Sequence, residues 1–218
     1  MKKENKNPLL WQNFANKNNL SDEQLEQFKK YYELIQDYNK QHNITAIEDL
    51  ESIIRDHFQD SLALSHFIKE SDNNIKSIAD VGSGAGFPAI PLKIKFKDLK
   101  VTLIEVTNKK INFLRSVIKE LNLNNIETCN LDWRTFLRQS ESDIDLFCAR
   151  ASLPVKELLR ALKPNCLYKN STIIYWASKY WQNQNLDLLK RTDFISKIYD
   201  YELDLKKRKL IFFSKNSN

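Results

Sequence analysis

Apolar positions recur along this chain in two rhythms, and the change from one to the other organises it. From Leu25, the residues Phe28, Tyr32, Ile35 and Tyr38 follow at three- and four-residue steps, the spacing of one helix face. Leu20-Ser21-Asp22-Glu23-Gln24 stands ahead of them as a capping box. In it Ser21 accepts from the Gln24 amide and the Gln24 side chain reaches back. Tyr38 to Thr45 breaks the rhythm and predicts a polar connection. A second helix is predicted over about Asp49 to Ile68, with Ile53, Ile54, Phe58, Leu62 and Phe67 as apolar positions. Its middle, Arg55 to Ser61, puts polar groups on more than one face.

Short β-branched runs then alternate with helical stretches. Strands are predicted at Ile75 to Val81, Val101 to Glu105, Ile126 to Cys129, Ile144 to Ala149 and Thr172 to Trp176. Helices fall between them: one through Ile90, Leu92, Ile94 and Phe96, then Asn108 to Leu121, Trp133 to Leu137, and Pro154 to Leu162. After a short helix near Leu186 to Lys190, two strands close the chain, Ile195 to Leu203 and Leu210 to Phe213. Lys206-Lys207-Arg208 is expected to be the hairpin connection. Regular strand–helix alternation gives a parallel sheet with helices on both faces, and a connection too short for a crossover makes the last pair antiparallel. The expectation is an α/β doubly wound, mostly parallel seven-stranded sheet with a terminal antiparallel hairpin. Residues 1–72 form a helical extension packed on a core of residues 73–218, the two making one structural unit.

All three glycines of the 218 residues sit in one bend, at Gly82, Gly84 and Gly86, after the first predicted strand. So concentrated a use of glycine implies a tight turn that something else approaches closely. A dinucleotide fingerprint, G-x-G-x-x-G, would need its third glycine at position 87, where Phe87 stands. The G-x-G-x-G spacing suits a nucleoside ligand without phosphates, with Asp80 left to hold loop amides or a ligand ammonium. Glu105 ends the second strand, where it is either an exposed strand-end acid or accepts both hydroxyls of a ribose, as it would for any nucleoside cofactor, NAD included. Leu131-Asp132 follows the third strand, where it could hold an adenine or, equally, cap the next helix. Arg150 ends the fourth strand, poised for a phosphate, for O6 and N7 of a guanine, or for a structural ion pair.

Composition narrows the classes. Hydrophobic residues at 42% and charged residues at 28% describe a globular domain, and no apolar run approaches a membrane span. The N-terminal stretch has no apolar segment behind its lysines, so no secretory signal is read there, and a cytoplasmic location is expected. Cys129, Cys148 and Cys166 are scattered, as are His42, His57 and His66, so neither disulfides nor a metal site is expected. Cys148, inside an apolar strand, is read as a buried hydrophobe rather than a nucleophile. His57 is read as a packing residue, and Trp176 and Trp181 as stacking or packing residues. Asp143 and Asp145 are expected to bound a surface turn. The balance of 34 basic to 28 acidic residues gives +6. That permits an RNA partner, whose backbone Lys109, Lys110, Arg115, Lys179 and the Lys206–Arg208 run could track.

Five segments together resemble one family. They are Tyr38-Asn39-Lys40-Gln41-His42-Asn43-Ile44-Thr45, His57-Phe58-Gln59-Asp60-Ser61, Asp80 to Leu92 with its glycines and two prolines, Asn108-Lys109-Lys110-Ile111-Asn112-Phe113-Leu114, and Ala149-Arg150-Ala151. The chain is similar over about Leu25 to Lys179 to the glucose-inhibited division protein B family, the ribosomal RNA small subunit methyltransferase G group. The resemblance implies a class I methyltransferase fold and an enzyme that uses S-adenosyl-L-methionine to methylate N7 of a guanine in 16S ribosomal RNA. It implies cofactor contacts at Gly82, Phe87, Leu131, Asp132 and Arg150, to which the residue reading adds Asp80, Gly84, Gly86 and Glu105. Asn43 and Arg150 are candidates for positioning the guanine, and no acid–base residue is assigned. The resemblance implies 16S ribosomal RNA or the small ribosomal subunit as partner, no metal or membrane is expected, and the protein is expected to be a monomer. The sequence departs from the family at Glu105, where an aspartate is usual, and around Lys169-Asn170-Ser171 and Trp176 to Lys179. The alternatives are a methyltransferase acting on a small molecule, a nicotinamide-dependent oxidoreductase and a non-catalytic ribosome-binding protein.

Overall fold

In the computed structural model the capping box closes as expected. The Ser21 amide donates to Gln24 Oε1 at 3.0 Å and the Gln24 amide to Ser21 Oγ at 3.3 Å. The structure describes residues 7–42, 49–70, 75–181, 194–204 and 206–215. Ahead of the box lies a helix that the apolar spacing did not predict, α1 (Pro8–Asn18). The Asn7 side chain caps it by accepting from the Leu10 amide, and Pro8 occupies its first turn, where a missing amide costs little. Behind the box, α2 (Asp22–His42) runs four residues past Tyr38, into the stretch expected to be a polar connection. Tertiary contact holds that last turn: the Tyr38 hydroxyl donates to the Lys109 carbonyl at 2.8 Å, and its ring lies 4.9 Å from that of Phe113. Asn43, Ile44 and Thr45 lie outside the described residues.

The second predicted helix is broken by a wider turn. It comprises α3 (Leu50–Ile53), a π-helical segment (Ile54–Gln59), α4 (Asp60–Leu62) and α5 (Ser65–Glu70). The π turn inserts a residue into the helical repeat, so Asp56 and Asp60 point inward together with Phe58. Polar groups on more than one face were the trace of this insertion in the sequence.

The strands are β1 (Ser77–Val81), β2 (Lys100–Ile104), β3 (Ile126–Cys129), β4 (Leu146–Arg150), β5 (Thr172–Ser178), β6 (Phe194–Leu203) and β7 (Lys206–Lys215). Between them run α6 (Ala89–Lys95), α7 (Asn108–Glu120), α8 (Trp133–Gln139) and α9 (Val155–Leu158), the last extended by a 3-10 turn over Leu159–Leu162. They form one sheet in the order β3-β2-β1-β4-β5-β7-β6. The first five strands pair in parallel, and β7 pairs antiparallel with both β5 and β6. Lys206, Lys207 and Arg208 are not the hairpin connection; they open β7, with Arg208 opposite Tyr201 on one side and Ser178 on the other. The helix expected near Leu186 to Lys190 lies outside the described residues.

Alternation along the strands builds a core on each face. Ile78, Leu103, Cys148, Ile174 and Leu210 bury against Trp11, Phe28, Tyr31 and Phe58 of the N-terminal helices. Ala79, Phe147, Ile173 and Ile211 bury against Trp133 and Leu158 on the other face. Helical extension and sheet therefore share one core. Asp145 does not bound a surface turn: its carboxylate accepts from the Lys76 and Ser77 amides at 2.8 Å each, pinning the start of β1 beside β4. Among the described residues no helix is long and apolar enough to cross a membrane, and no group of three His, Cys, Asp or Glu residues could hold a metal ion.

Candidate active site

The winding reverses at β1, which has β2 on one side and β4 on the other, and a crevice opens there beyond the carboxyl ends of the strands. The glycine loop fills its floor. The Gly82 and Ser83 amides donate to the Ile104 carbonyl at 2.9 and 3.0 Å, and the Gly86 amide folds back to Ser83 O at 2.7 Å. All three glycines have positive φ, +70° at Gly82, +59° at Gly84 and +98° at Gly86. They differ in what a side chain would meet. A Cβ on Gly82 would lie 2.6 Å from Ser152 Cβ, and one on Gly86 would lie 2.5 Å from Ile90 Cδ1 and 2.8 Å from the Tyr31 hydroxyl. A Cβ on Gly84 would meet only Gly82 O, at 3.8 Å, and otherwise open space.

This predicts a graded series. Gly84→Ala is expected to cost only about 1–2 kcal/mol of stability, the left-handed backbone penalty. Gly82→Ala and Gly86→Ala add overpacking and should cost about 2–5 kcal/mol. Gly84→Ala alone should abolish ligand binding in a protein that still melts cooperatively, a separation that thermal melts run beside ligand titrations would reveal.

Two buried carboxylates flank the loop. Glu105, 5% exposed and immediately after β2, accepts from the Gly84 amide at 3.0 Å and from the Thr107 amide at 2.9 Å. Of the roles expected for Asp80, loop amides or a ligand ammonium, the Gly84 amide goes to Glu105 instead. Each Glu105 oxygen accepts one of these bonds and keeps a second lone pair for a further donor. Asp80, 1% exposed on β1, has no hydrogen-bond partner of good geometry at either oxygen. Burial raises its pKa well above the ordinary carboxylate value, although the Ala89 amide, the Arg150 charge and the Ser83 hydroxyl favour the ionised form. Next to Glu105, Val106 is 60% exposed, an apolar side chain left open at the crevice. Asn130 joins the ends of β2 and β3, its amide donating to Glu105 O at 2.9 Å and Val106 O at 3.1 Å.

Leu131 is half-buried against the second core. Asp132 caps α8, its Oδ1 accepting from the Arg134 and Thr135 amides at 3.0 and 3.1 Å and its Oδ2 from the Thr135 hydroxyl at 2.6 Å. The Phe87 ring is buried in the aromatic cluster of Tyr31 and Phe58, and His57 stacks on it at 4.4 Å between centroids. Arg150 lies over the same ring at 5.4 Å. Its guanidinium donates to Asp60 Oδ2 at 2.9 Å, to Asp56 O at 3.1 Å and to His57 Nδ1. Asp60 in turn accepts from the Tyr201 hydroxyl, and its carbonyl accepts from the Trp176 indole at 3.0 Å. The apolar spacing singled out Tyr32, but the fully buried ring is Tyr31, whose hydroxyl holds the loop carbonyl of Ala85 from behind. Its signal was the Phe28-Tyr31-Ile35 spacing.

Burial, with the positive charge of Arg150 beside it, lowers the His57 pKa from 6.5 to about 3. Between those values the unfolded chain binds a proton that the folded chain does not, so stability should fall as pH drops below 6.5. The contribution from His57 amounts to about 2 kcal/mol by pH 5. His57→Asn should flatten that limb of the stability profile in denaturant titrations, and an unchanged slope would remove His57 as its source.

The other residues separate clearly. Cys148 is buried, and burial with the nearby Asp80 pushes its thiol pKa well up, against a nucleophilic role. Trp176 and Trp181 are buried. Lys109 and Arg115 are exposed on α7, Lys110 lies 3.9 Å from Glu105, and Lys179 sits over the Tyr180 ring at 4.7 Å just past β5. Beyond β4 and β5 a cleft of about 510 Å³ adjoins the crevice through Ala151 and is lined by Asp60, Arg150, Tyr175, Lys206 and Arg208 among others.

Comparison with known proteins places this sequence in a family. The sequence signature described as rRNA small subunit methyltransferase G (GidB) matches residues 24–211. Ribosomal RNA small subunit methyltransferase G of Lactococcus lactis subsp. cremoris is 35% identical over 173 residues, 78% of this chain and 72% of the relative. The protein of that name from Leuconostoc citreum is 42% identical over 107 residues, 49% of this chain and 45% of the relative. The matched stretch thus spans about half the length of several such relatives. Two solved structures share the fold. M. capricolum TrmK in complex with S-adenosyl-homocysteine has a TM-score of 0.53 at 22% identity, over 71% of this chain and 68% of that one. A ribosomal protein L11 methylase from Lactobacillus delbrueckii subsp. bulgaricus also has a TM-score of 0.53, at 16% identity over 72% and 79%. With the signature covering 24–211 and the glycine loop inside it, the chain belongs to the rRNA small subunit methyltransferase G (GidB) family.

Proposed function

We propose that the protein is an S-adenosylmethionine-dependent methyltransferase that methylates N7 of a guanine in 16S ribosomal RNA. The observation that carries the reading is the pair of buried carboxylates around the glycine loop, one of them, Asp80, without a hydrogen-bond partner of good geometry. The residues fit this cofactor. Its ammonium group suits Asp80, its ribose hydroxyls suit the free lone pairs of Glu105, and its adenine suits the end of β3 near Leu131 and Asp132. Gly82, Gly84 and Gly86 let the backbone come close, and Phe87 supports the loop from beneath. Bound there, S-adenosylmethionine supplies a methyl group on a positively charged sulfur.

The protein's own task is then positioning. Guanine N7 carries an in-plane lone pair and no proton, so no side chain has to remove one and no general base is required. Alignment is where the rate is gained. Arg150 stands between the loop and the cleft and, with Asn43, is assigned to hold the guanine. Lys109, Lys110, Arg115 and Lys179 track the phosphate backbone around it, a salt-dependent contribution. The helical extension 1–72 and the domain 73–218 work as one unit, and the protein acts as a cytoplasmic monomer on 16S ribosomal RNA or the small subunit. Borohydride–aniline cleavage of 16S ribosomal RNA from cells with and without this protein tests the reading. One cleavage site lost with the protein is expected, and an identical cleavage pattern would refute it.

A further inference from the structure

The cleft beyond β5 is lined by a cation, Arg208, that meets no carboxylate among the described residues. Its two acids are already engaged: Asp60 takes Arg150 and Tyr201, and Asp56 takes Arg55 and Lys206 at 2.8 Å each. Arg208 is left over. It is half-buried between Tyr201 and Ser178, its Nε is sealed from solvent without a hydrogen-bond partner, and among the described residues no carboxylate pairs with it. Its guanidinium lines the cleft with no carboxylate of the described residues opposite it, which leaves the cation open to an anionic ligand. A guanidinium fork matches the oxygens of a phosphate.

Position and size agree. β7 runs antiparallel to β5, so its opening residues Lys206 and Arg208 lie at the carboxyl edge of the sheet, the edge that carries the glycine loop. Ala151 lines the cleft, and its neighbour Ser152 is the residue a Cβ on Gly82 would strike. A cleft of about 510 Å³ takes one nucleotide rather than a duplex. Its lining sets Arg150, Lys206 and Arg208 beside Asp56 and Asp60, and includes Tyr175 and Trp176. We propose that this cleft receives a single purine nucleotide turned out of the RNA, with Arg208 binding its phosphate and Lys206 assisting from the rim. The inference rests on the methyltransferase reading and adds to it the pocket for the target nucleotide.

The test uses the full chain and 16S ribosomal RNA. Arg208→Ala should lower kcat/KM for the RNA about 10- to 100-fold, the loss of one charge-assisted hydrogen bond. It should leave S-adenosylhomocysteine affinity unchanged and not lower the melting temperature, since the donor removed was unpaired. Arg208→Lys should recover part of the loss. Guanosine 5′-monophosphate should inhibit the wild-type reaction more strongly than guanosine, and Arg208→Ala should erase that difference. Wild-type turnover retained in Arg208→Ala would overturn the inference. So would a weaker salt dependence with the preference for the monophosphate intact, which would place Arg208 on the RNA backbone outside the cleft. A wild-type protein that neither binds S-adenosylhomocysteine nor methylates RNA would instead overturn the methyltransferase reading.

Discussion

Replacing Asp80 with asparagine is expected to raise the melting temperature and to weaken S-adenosylhomocysteine binding in the same protein. The carboxyl group is buried on β1 with no hydrogen-bond partner of good geometry at either oxygen. Ionising it there costs free energy, which is why burial raises its pKa. The sign follows: between the unfolded value near 3.8 and the raised folded value, the folded chain holds a proton that the unfolded chain has lost. This contribution to stability therefore falls as pH rises through that window. Asparagine keeps the shape and removes the ionisable group, leaving the smaller cost of a buried amide, a net gain of about 0.5–2 kcal/mol, or roughly 1–8 °C for a chain of this size. The ligand's ammonium loses a charged partner, which should weaken binding about 10- to 100-fold. A melting temperature that falls, with affinity unchanged, would make Asp80 a structural residue and remove it from the site.

Arg150→Ala should have the largest effect on stability. Its guanidinium ties β4 to the π-helical segment through Asp60, Asp56 O and His57, and Asp60 in turn anchors Tyr201 of the hairpin. Removing the cation leaves Asp60 buried with one hydroxyl for company, a loss of about 3–5 kcal/mol. The melting temperature should drop by roughly 6–20 °C. Asp60→Asn, which keeps an acceptor for Tyr201, should recover part of that loss in the double variant, and the recovery measures the coupling. Additive losses would mean that the pair contributes nothing as a pair. Turnover tests the second role: Arg150→Ala that methylates ribosomal RNA at the normal rate would release Arg150 from positioning the guanine.

Local chemistry was the legible part of the sequence. The capping box at Ser21, the glycine bend and the acid at the end of β2 each depend on residues adjacent in the chain, and the order of strands and helices followed from their periods. What escaped depends on contacts made across the fold. The last turn of α2 is held by the Tyr38–Lys109 bond, which no helix pattern records. Helix α1 carries only Trp11, Phe14 and Ala15 on its buried side among asparagines, though Asn7 and Pro8 marked its start. The Lys206–Arg208 run looks like a turn, yet β5 extends to Ser178 and pairs with it. Asp132 could be read as a cap or as a ligand contact, and it does cap α8, with its adenine role resting on the proposed cofactor pose. Arg150 was placed at the sheet edge by its strand, but its partners come from a π turn whose extra residue hid their shared direction.

Calorimetric titration of the protein and of Gly84→Ala with S-adenosylhomocysteine and with NADH tests the glycine cradle most directly. One equivalent of the homocysteine compound should bind the unaltered chain, none should bind Gly84→Ala, and NADH should give no heat with either. Heat from NADH alone, or equal affinity of both proteins for S-adenosylhomocysteine, would contradict the cradle described here.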